Sequence, residues 1–249
     1  RAMAPTVLML HGFTNTGASW APVIAALGER YRALAPDLRG HGTASQARPV
    51  TLEAVIGDLT SLAPARGVTL VGYSQGGRIA LHAALALSER VERLVLIGAS
   101  PGIADPAERA ARRAADEALA GEIEGESIEA FATRWAATPV LAGQPDEVRA
   151  AAHADRLRST PAGLAAALRG LGTGALPSLW GRLDELTMPV ILIAGERDEK
   201  FGAIGEQMAA KIPRAELVVV PGVGHAVHLE APERVAEEIA GVKRVGSRL

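Results

Sequence analysis

Two short motifs place a serine between glycines, at the spacing that exposes a nucleophile on a tight strand-to-helix turn. One is GYSQG at residues 72–76, the other is GASPG at residues 98–102, and each follows an apolar run. The residue after such a serine donates its backbone N–H to the oxygen that becomes negative during the reaction, and Pro101 has no N–H to donate. We therefore predict that Ser74 is catalytic and that the N–H of Gln75 belongs to an oxyanion hole, and we exclude the serine of the second motif.

The second oxyanion donor is expected in the loop after an early strand. The sequence HGF at residues 11–13 follows the apolar run TVLML, so we assign this role to the backbone N–H of Phe13. We interpret His11 as a residue that braces the loop through hydrogen bonds.

A serine needs a general base, and the base needs a carboxylate that orients it. In this architecture the acid and then the histidine follow the serine, each in a loop after a strand. Asp198 follows the run PVILIAG and His225 follows AELVVVPG, so we predict a triad of Ser74, Asp198 and His225. Glu196 stays open as a substitute for Asp198.

Other histidines and aspartates compete for these roles. His82 lies within the helix predicted after the serine, His153 lies in a helical pattern further on, and the DLRGHG loop that contains His41 is typical of a structured turn. The aspartates precede the serine in the chain, against the expected order. The competing residues are His41, His82, His153 and His228 for the base, and Asp37 and Asp58 for the acid.

The composition excludes several other kinds of chemistry. The chain has no cysteine, which rules out disulfides, thiolate metal sites and a cysteine nucleophile. The zinc-protease pattern H-E-x-x-H and the glycine-rich nucleotide-binding patterns are absent. We expect no metal and no cofactor. The net charge of −2, without a basic run, argues against a nucleic-acid partner.

Six apolar runs predict the elements that must position these residues. They are rich in Val, Ile and Leu, are bounded by glycine or proline, and alternate with helical patterns, which is typical of a parallel sheet covered on both faces. The runs are TVLML (6–10), YRALAPD (31–37), VTLVGY (68–73), VERLVLIGA (91–99), PVILIAG (189–195) and AELVVVPG (215–222). The predicted fold class is α/β, a mostly parallel sheet flanked by helices.

The pattern changes between residues 102 and 187, where helical stretches follow one another without a convincing strand. Prolines at 106, 145 and 161 stand where helices would start. We predict an all-helical cap (102–187) between a first core part (1–101) and a second core part (188–249). Such a cap would cover the carboxyl edge of the sheet, where open α/β sheets bind their ligands.

The motifs HGF, DLRGHG, GYSQGG, GERD and GHAVHLE, in this order over nearly the whole chain, resemble the α/β-hydrolase superfamily. Within it the chain is similar to the 2-succinyl-6-hydroxy-2,4-cyclohexadiene-1-carboxylate synthases of menaquinone biosynthesis. This finer resemblance rests on GYSQGGRIAL, SPGIADPAERAARRAADEAL, WAATPV, LRS and GERDEKF. The matches in the middle segment carry most weight, because generic esterases share the sheet motifs but vary in the cap.

Members of that family are lyases that eliminate pyruvate from a precursor carrying several carboxylates. The resemblance implies that the activated Ser74 removes a proton from carbon instead of forming an acyl-enzyme. It also implies that arginines of the nucleophile helix and the cap bind the carboxylates. The corresponding residues are Arg78, Arg112 and Arg158, with Tyr73 and Trp135 near the ligand. Gln75 stands where leucine is usual, and Ala136 and Leu141 replace aromatic residues, which predicts a looser cap wall.

The position of Arg78 in the sequence favours an acidic substrate on physical grounds. A residue four positions after Ser74 lies on the same face of the helix, and a guanidinium group matches a carboxylate and keeps its charge when desolvated. Without the family register, however, Arg113 and Arg156 compete with Arg112 and Arg158, and Arg78 has a structural alternative in an ion pair with Asp58. Trp135 has an alternative as core of an amphipathic helix.

Two other functions stay open at this point. One is a serine carboxylesterase or carbon–carbon bond hydrolase, in which Ser74 is acylated, and the other is a ligand receptor that keeps the hydrolase scaffold. We expect a small anionic substrate, a cytoplasmic location and no membrane contact, because no stretch reaches the roughly 18 apolar residues that span a bilayer. Monomer and homo-oligomer are both open. Arg1 and Ala2 are interpreted as a cloning remnant before Met3.

Overall fold

A computed structural model of the chain describes residues 4–241, so the expected cloning remnant lies outside the described residues. In this range the strands form one sheet in which every neighbouring pair is parallel. The strands are β1 (Thr6–Leu10), β2 (Arg32–Leu34), β3 (Val68–Tyr73), β4 (Val91–Ile97), β5 (Val190–Gly195) and β6 (Ala215–Val220). The predicted α/β class with a parallel sheet is confirmed.

The strand order is β2-β1-β3-β4-β5-β6. Because the strands are parallel, the segments that follow β3, β5 and β6 emerge at the same edge of the sheet, and these segments begin with or contain the predicted catalytic residues. β2 is shorter than predicted. Pro36 has no N–H for a strand ladder, and the Asp37 carboxylate instead accepts hydrogen bonds from the N–H groups of Gly17 and Thr43, at 2.8 Å each.

Helices cover both faces of the sheet. They are α1 (Ala21–Leu27), α2 (Leu52–Leu62), α3 (Gln75–Ala86), α4 (Pro106–Glu124), α5 (Ile128–Ala136), α6 (Asp146–Arg156), α7 (Pro161–Leu171), α8 (Glu199–Ala209), α9 (Val227–Glu230) and α10 (Pro232–Ala240). Successive strand residues point to opposite faces. Leu70 accordingly packs in the buried cluster with Ile79 of α3, while Val71 packs in the other cluster with Val23 of α1 and Val235 of α10.

The segment between β4 and β5 contains α4 to α7, and its described residues form no strand. Pro106 and Pro161 occupy the first positions of α4 and α7, as predicted, because a helix leaves its first N–H groups unpaired. Phe131 and Leu164 pack in a small apolar cluster of this segment's own. Leu171 at the end of α7, in contrast, joins the main core on the sheet. The division of the chain into a core and a cap stays a prediction.

Among residues 4–241, no helix combines the length and apolar character required to cross a bilayer.

Candidate active site

Ser74 occupies a strained turn between β3 and α3. Its backbone has φ +50° and ψ −114°, a conformation that residues other than glycine rarely adopt. Its N–H donates to the carbonyl of Ile97 on β4 at 2.9 Å, and its carbonyl accepts the N–H of Arg78 at 3.0 Å. These bonds hold the turn in place from both sides, so the serine is presented at the carboxyl edge of the sheet.

The glycines around Ser74 let α3 approach the sheet closely. A Cβ at Gly76 would lie 2.2 Å from the carbonyl oxygen of Leu10 on β1, and a Cβ at Gly72 would lie 2.4 Å from the carbonyl oxygen of Gly76. Neither contact is possible for a real side chain. The glycines of the motif are therefore required because a side chain at these positions would prevent the close packing of α3 on the sheet.

The loop after β1 lies beside the serine, as predicted. Within residues 4–241, the backbone N–H groups of Phe13 and Gln75 have no hydrogen-bond acceptor, so both are free to bind an oxygen of a ligand. Thr14, directly after Phe13, has φ +75°, a second strained position. His11 braces the loop: its Nε2 accepts the N–H of Leu38 at 2.9 Å, so its Nδ1 donates to the carbonyl of Gly12 at 2.9 Å.

Asp198 and His225 form a buried pair at the ends of β5 and β6. The Nδ1 of His225 lies 2.6 Å from Oδ2 of Asp198, and the two side chains are 6% and 9% exposed. With Nδ1 donating to the carboxylate, Nε2 is left as the basic nitrogen of a neutral imidazole. His225 and Ser74 line the same pocket. The structure thus brings the three predicted residues together.

None of the four competing histidines lines the pocket around Ser74 in the described part of the chain. His41 is buried against the rings of His11 and Phe13, with centroid separations of 4.8 and 5.8 Å. His228 is buried between Trp20 and Tyr73, and burial lowers its pKa to about 3.

The competing acids also have other partners. Glu196 accepts the N–H of Gly222 at 2.8 Å and helps to connect the loops after β5 and β6. Asp58 makes a two-pronged ion pair with Arg39, at 2.6 and 2.9 Å, so the alternative pairing of Arg78 with Asp58 is not formed. Hydrogen bonds to the N–H groups of Gly17 and Thr43 help to lower the pKa of Asp37, against the opposing effect of burial.

A pocket opens above Ser74. Core loops and the helical segment both contribute to its wall, in which apolar and polar side chains are about equally common. The lining residues are Phe13, Thr14, Asn15, Tyr73, Ser74, Trp135, Val140, Leu141, Gln144, Ala152, Arg156, His225, Ala226 and Leu229. Sequence reasoning did not single out Thr14, Asn15 or Gln144, and it named Arg156 only as a competitor of Arg158.

Tyr73 and Trp135 lie at the pocket, as the resemblance implied. Tyr73 is buried, and burial raises the pKa of its hydroxyl. The ring of Trp135 meets that of Phe13 edge-on, with centroids 5.3 Å apart, and also packs near Phe131, at 5.5 Å. Trp135 thus forms both part of the small apolar cluster and part of the pocket wall, so its two interpretations are compatible.

Arg78 lies one helical turn after Ser74 but does not line this pocket. Its Nε is buried and has no hydrogen-bond partner within residues 4–241. Burial, together with the nearby charge of Arg112, lowers the pKa of Arg78 to about 10, while Asp116 opposes the shift. The guanidinium is therefore still charged at neutral pH, and a buried cation of this kind favours an anionic neighbour.

The two predicted cap arginines lie outside the pocket. Arg112 pairs with Asp116 at 2.8 Å and lines a separate surface groove that also contains Ser100. Arg158 follows the end of α6, is 64% exposed, and lies 3.9 Å from Asp155. The prediction that Arg78, Arg112 and Arg158 surround the serine is thus not reproduced in this arrangement, because the turn after α6 directs Arg158 to the outer surface.

Arg156 is the arginine that reaches the pocket. It is 3% exposed, and its Nε lies 3.4 Å from Oγ1 of Thr14. Burial lowers the pKa of its guanidinium, and the neighbouring Asp155 carboxylate favours the charged form. In the sequence, Arg156 lies four residues after Ala152 and thus on the same face of α6. That spacing does not show which face of α6 turns towards the pocket.

Comparisons with known proteins agree with this fold. A model of the "Alpha/beta hydrolase family" matches residues 7–238. A Bacillus subtilis (strain 168) protein named "Putative 2-succinyl-6-hydroxy-2,4-cyclohexadiene-1-carboxylate synthase" is 38% identical over 238 residues, which cover 91% of this chain and 85% of that protein. The synthase of the same name from Escherichia fergusonii is 31% identical, over 96% of this chain and 94% of that protein.

A solved structure is similar over almost the same length. MenH from S. aureus superposes with a TM-score of 0.90 at 31% sequence identity, covering 97% of this chain and 94% of that chain. The fold, the family model and the curated relatives therefore agree, and this chain belongs to the α/β-hydrolase family of enzymes, with close similarity to 2-succinyl-6-hydroxy-2,4-cyclohexadiene-1-carboxylate synthases.

Proposed function

We propose that this protein is a cofactor-free lyase that eliminates pyruvate from a polycarboxylated menaquinone precursor, giving 2-succinyl-6-hydroxy-2,4-cyclohexadiene-1-carboxylate. The observation that carries the proposal is the similarity to synthases of this name over more than nine tenths of the chain, including the helical segment that shapes the pocket. The residues around Ser74 fit this chemistry.

In the proposed reaction His225 takes the hydroxyl proton of Ser74, and the Ser74 oxygen removes a proton from a carbon of the substrate. The electrons of that C–H bond form the new ring double bond, and the C–O bond to the leaving group breaks. Pyruvate leaves as its enolate and receives a proton from the imidazolium. Asp198 holds the imidazole in the required tautomer and stabilises its charged form.

The free N–H groups of Phe13 and Gln75 support an oxyanion hole for charge that develops on a substrate oxygen. Arg156 is the cation best placed to bind a substrate carboxylate, since it is buried in the pocket wall. We retain Arg78 and Arg112 as further carboxylate ligands, because the charge of Arg112 acts on the buried guanidinium of Arg78, one turn after Ser74, and a bound anion would stabilise both charges. Arg158 has no such support.

The direct test mixes the enzyme with the precursor and follows pyruvate through coupled reduction by lactate dehydrogenase. We expect one pyruvate for each cyclohexadiene formed, and a strongly reduced rate with the Ser74→Ala variant. Absence of pyruvate from well-folded wild-type protein would overturn the proposal.

A carboxylesterase is the second candidate, and the apolar part of the pocket wall favours it. Phe13, Trp135, Leu141 and Leu229 line the pocket, while none of the three predicted arginines does so in the described part of the chain. In this case Ser74 attacks the ester carbonyl, and water releases the acid. Rapid turnover of short p-nitrophenyl esters, with an acyl adduct on Ser74 in mass spectra and no pyruvate release, would establish it.

A further inference from the structure

Arg197 and Glu230 form an ion pair next to the predicted catalytic acid Asp198 and base His225. The Nη2 of Arg197 lies 3.0 Å from Oε1 of Glu230. The carboxylate side chain is only 2% exposed, while that of Arg197 is 45% exposed. A buried carboxylate retains its charge at low cost only when it is paired and hydrogen-bonded, so the two residues depend on each other.

The pair connects the two loops that carry Asp198 and His225. Arg197 directly precedes Asp198, and its N–H donates to the carbonyl of Val223 at 3.0 Å. Glu230 uses its second oxygen to accept the N–H of Gly224, the residue before His225, at 3.1 Å. The ion pair thus fixes the loop after β5 against the loop after β6, which is the relationship that sets the Asp198–His225 hydrogen bond.

The same guanidinium also contacts the helical segment. The Nη1 of Arg197 donates to the carbonyl of Gly143 at 3.2 Å. Gly143 has φ +78°, a backbone conformation that favours glycine, and an added Cβ would lie 2.6 Å from that nitrogen and displace the end of the Arg197 side chain. Its neighbours Leu141 and Gln144 line the pocket above Ser74. One arginine therefore bonds to both catalytic loops and to the pocket wall contributed by the helical segment.

We infer that Arg197 and Glu230 are positioning residues. Through them, the packing of residues 139–144 over the pocket influences the alignment of His225 with Asp198. The inference rests on the proposed site, and it does not depend on which reaction Ser74 performs. The planar fork of arginine can bond in two directions at once, towards Glu230 and towards Gly143, which the single ammonium group of lysine reproduces only in part.

The test compares Arg197→Ala, Arg197→Lys and Glu230→Gln with the control Arg182→Ala. This control breaks an exposed ion pair with Glu185, and neither residue lines the pocket above Ser74 in the described part of the chain. The first readout is the pH profile of Ser74 labelling by a fluorophosphonate, a reaction that needs the triad but no lyase substrate. The second readout is hydrogen–deuterium exchange of peptides covering 138–145 and 221–226.

We expect Arg197→Ala to slow labelling at least about 30-fold, to shift the apparent pKa of the profile, and to speed exchange in both peptides. Glu230→Gln should act in the same direction, Arg197→Lys should give intermediate values, and Arg182→Ala should match wild type. Unchanged labelling and unchanged exchange in a folded Arg197→Ala protein would overturn the inference. If wild-type Ser74 is not labelled at all, the proposed triad fails, while the exchange measurement still decides whether Arg197 couples the two regions.

Discussion

Gly98 leaves the space that the imidazole of His225 occupies. A Cβ at Gly98 would lie 2.7 Å from Cε1 and 2.9 Å from Nδ1 of His225, and the backbone there has φ +53°. Gly98 begins the motif whose serine we excluded as a nucleophile, so this second motif contributes to the site through its glycine. We predict that Gly98→Ala displaces His225 and lowers kcat by about 100-fold, a loss that a displacement of about 1 Å can cause.

Gly102→Ala is the matched control for this change. Gly102 ends the same motif with φ +98°, but its added Cβ would meet the backbone of Ser178, at 3.3 Å, and not His225. Both variants should lose stability in thermal unfolding, while only Gly98→Ala should lose most of its kcat. Equal losses of kcat would show that the effect comes from backbone strain and not from the imidazole.

The two serines of the G-x-S-x-G motifs should respond very differently to removal. Ser74→Ala is expected to lower the rate of pyruvate release by about 1,000-fold or more, since base catalysis and its support by His225 are lost together. Ser100→Ala should stay within about 2-fold of wild type. Its Oγ accepts the N–H of Gly102 at 3.3 Å, so removal of the hydroxyl should lower the free energy of unfolding by about 1 kcal/mol. Steady-state kinetics and urea unfolding of both variants check this prediction.

Arg156 and Arg158 provide a second matched pair, two residues apart in the sequence. We expect Arg156→Ala to lower kcat/KM by about 100-fold, because a buried guanidinium that bonds a substrate carboxylate is worth about 2–3 kcal/mol. Arg158→Ala should change kcat/KM less than about 3-fold, since the side chain is mostly exposed. Kinetics with the precursor over a range of substrate concentrations separate the two.

Arg156→Lys tests the geometry of the contact. A lysine keeps the charge but loses the planar fork, so we expect an intermediate kcat/KM. The loss should be larger for the polycarboxylated precursor than for a neutral p-nitrophenyl ester. An equal loss for both substrates would indicate that Arg156 supports the pocket wall and does not recognise a carboxylate.

Stability should fall in acid because burial favours the neutral form of several histidines, and His41 and His228 are two of them. Burial lowers the pKa of both His41 and His228 to about 3, from an ordinary value of 6.5. Below pH 6.5 the unfolded chain therefore binds more protons than the folded one. The free energy of unfolding should decrease as the pH falls from 6.5 towards 3, by up to about 1.4 kcal/mol per pH unit for each histidine.

Urea unfolding at pH 7.5, 6.0 and 5.0 checks this slope. His228→Phe fills the space between Trp20 and Tyr73 without a titrating group, so its free energy of unfolding should depend less on pH than that of wild type. His153→Gln, at a partly exposed position of α6, is the control and should keep the wild-type slope. Parallel curves for all three proteins would contradict the prediction.

The sequence by itself determined the sheet, the catalytic candidates and their order. Continuous apolar runs predicted a parallel sheet, and parallel strands carry the residues that follow them to one edge. The absence of an N–H at Pro101 was sufficient to separate Ser74 from Ser100. These inferences depend on local chemistry and on the direction of strands, which the residue types specify without knowledge of long-range packing.

Only the tertiary structure decided which arginines face the pocket. Arg112, Arg156 and Arg158 all lie in helical patterns rich in alanine and charge, and helical spacing shows which residues share a face but not what that face meets. The turn after α6 leaves Arg158 on the surface and Arg156 beside Thr14. The contact of Arg197 with Gly143, 54 residues apart, likewise depends on how the helical segment packs over the sheet, and no local pattern encodes that packing.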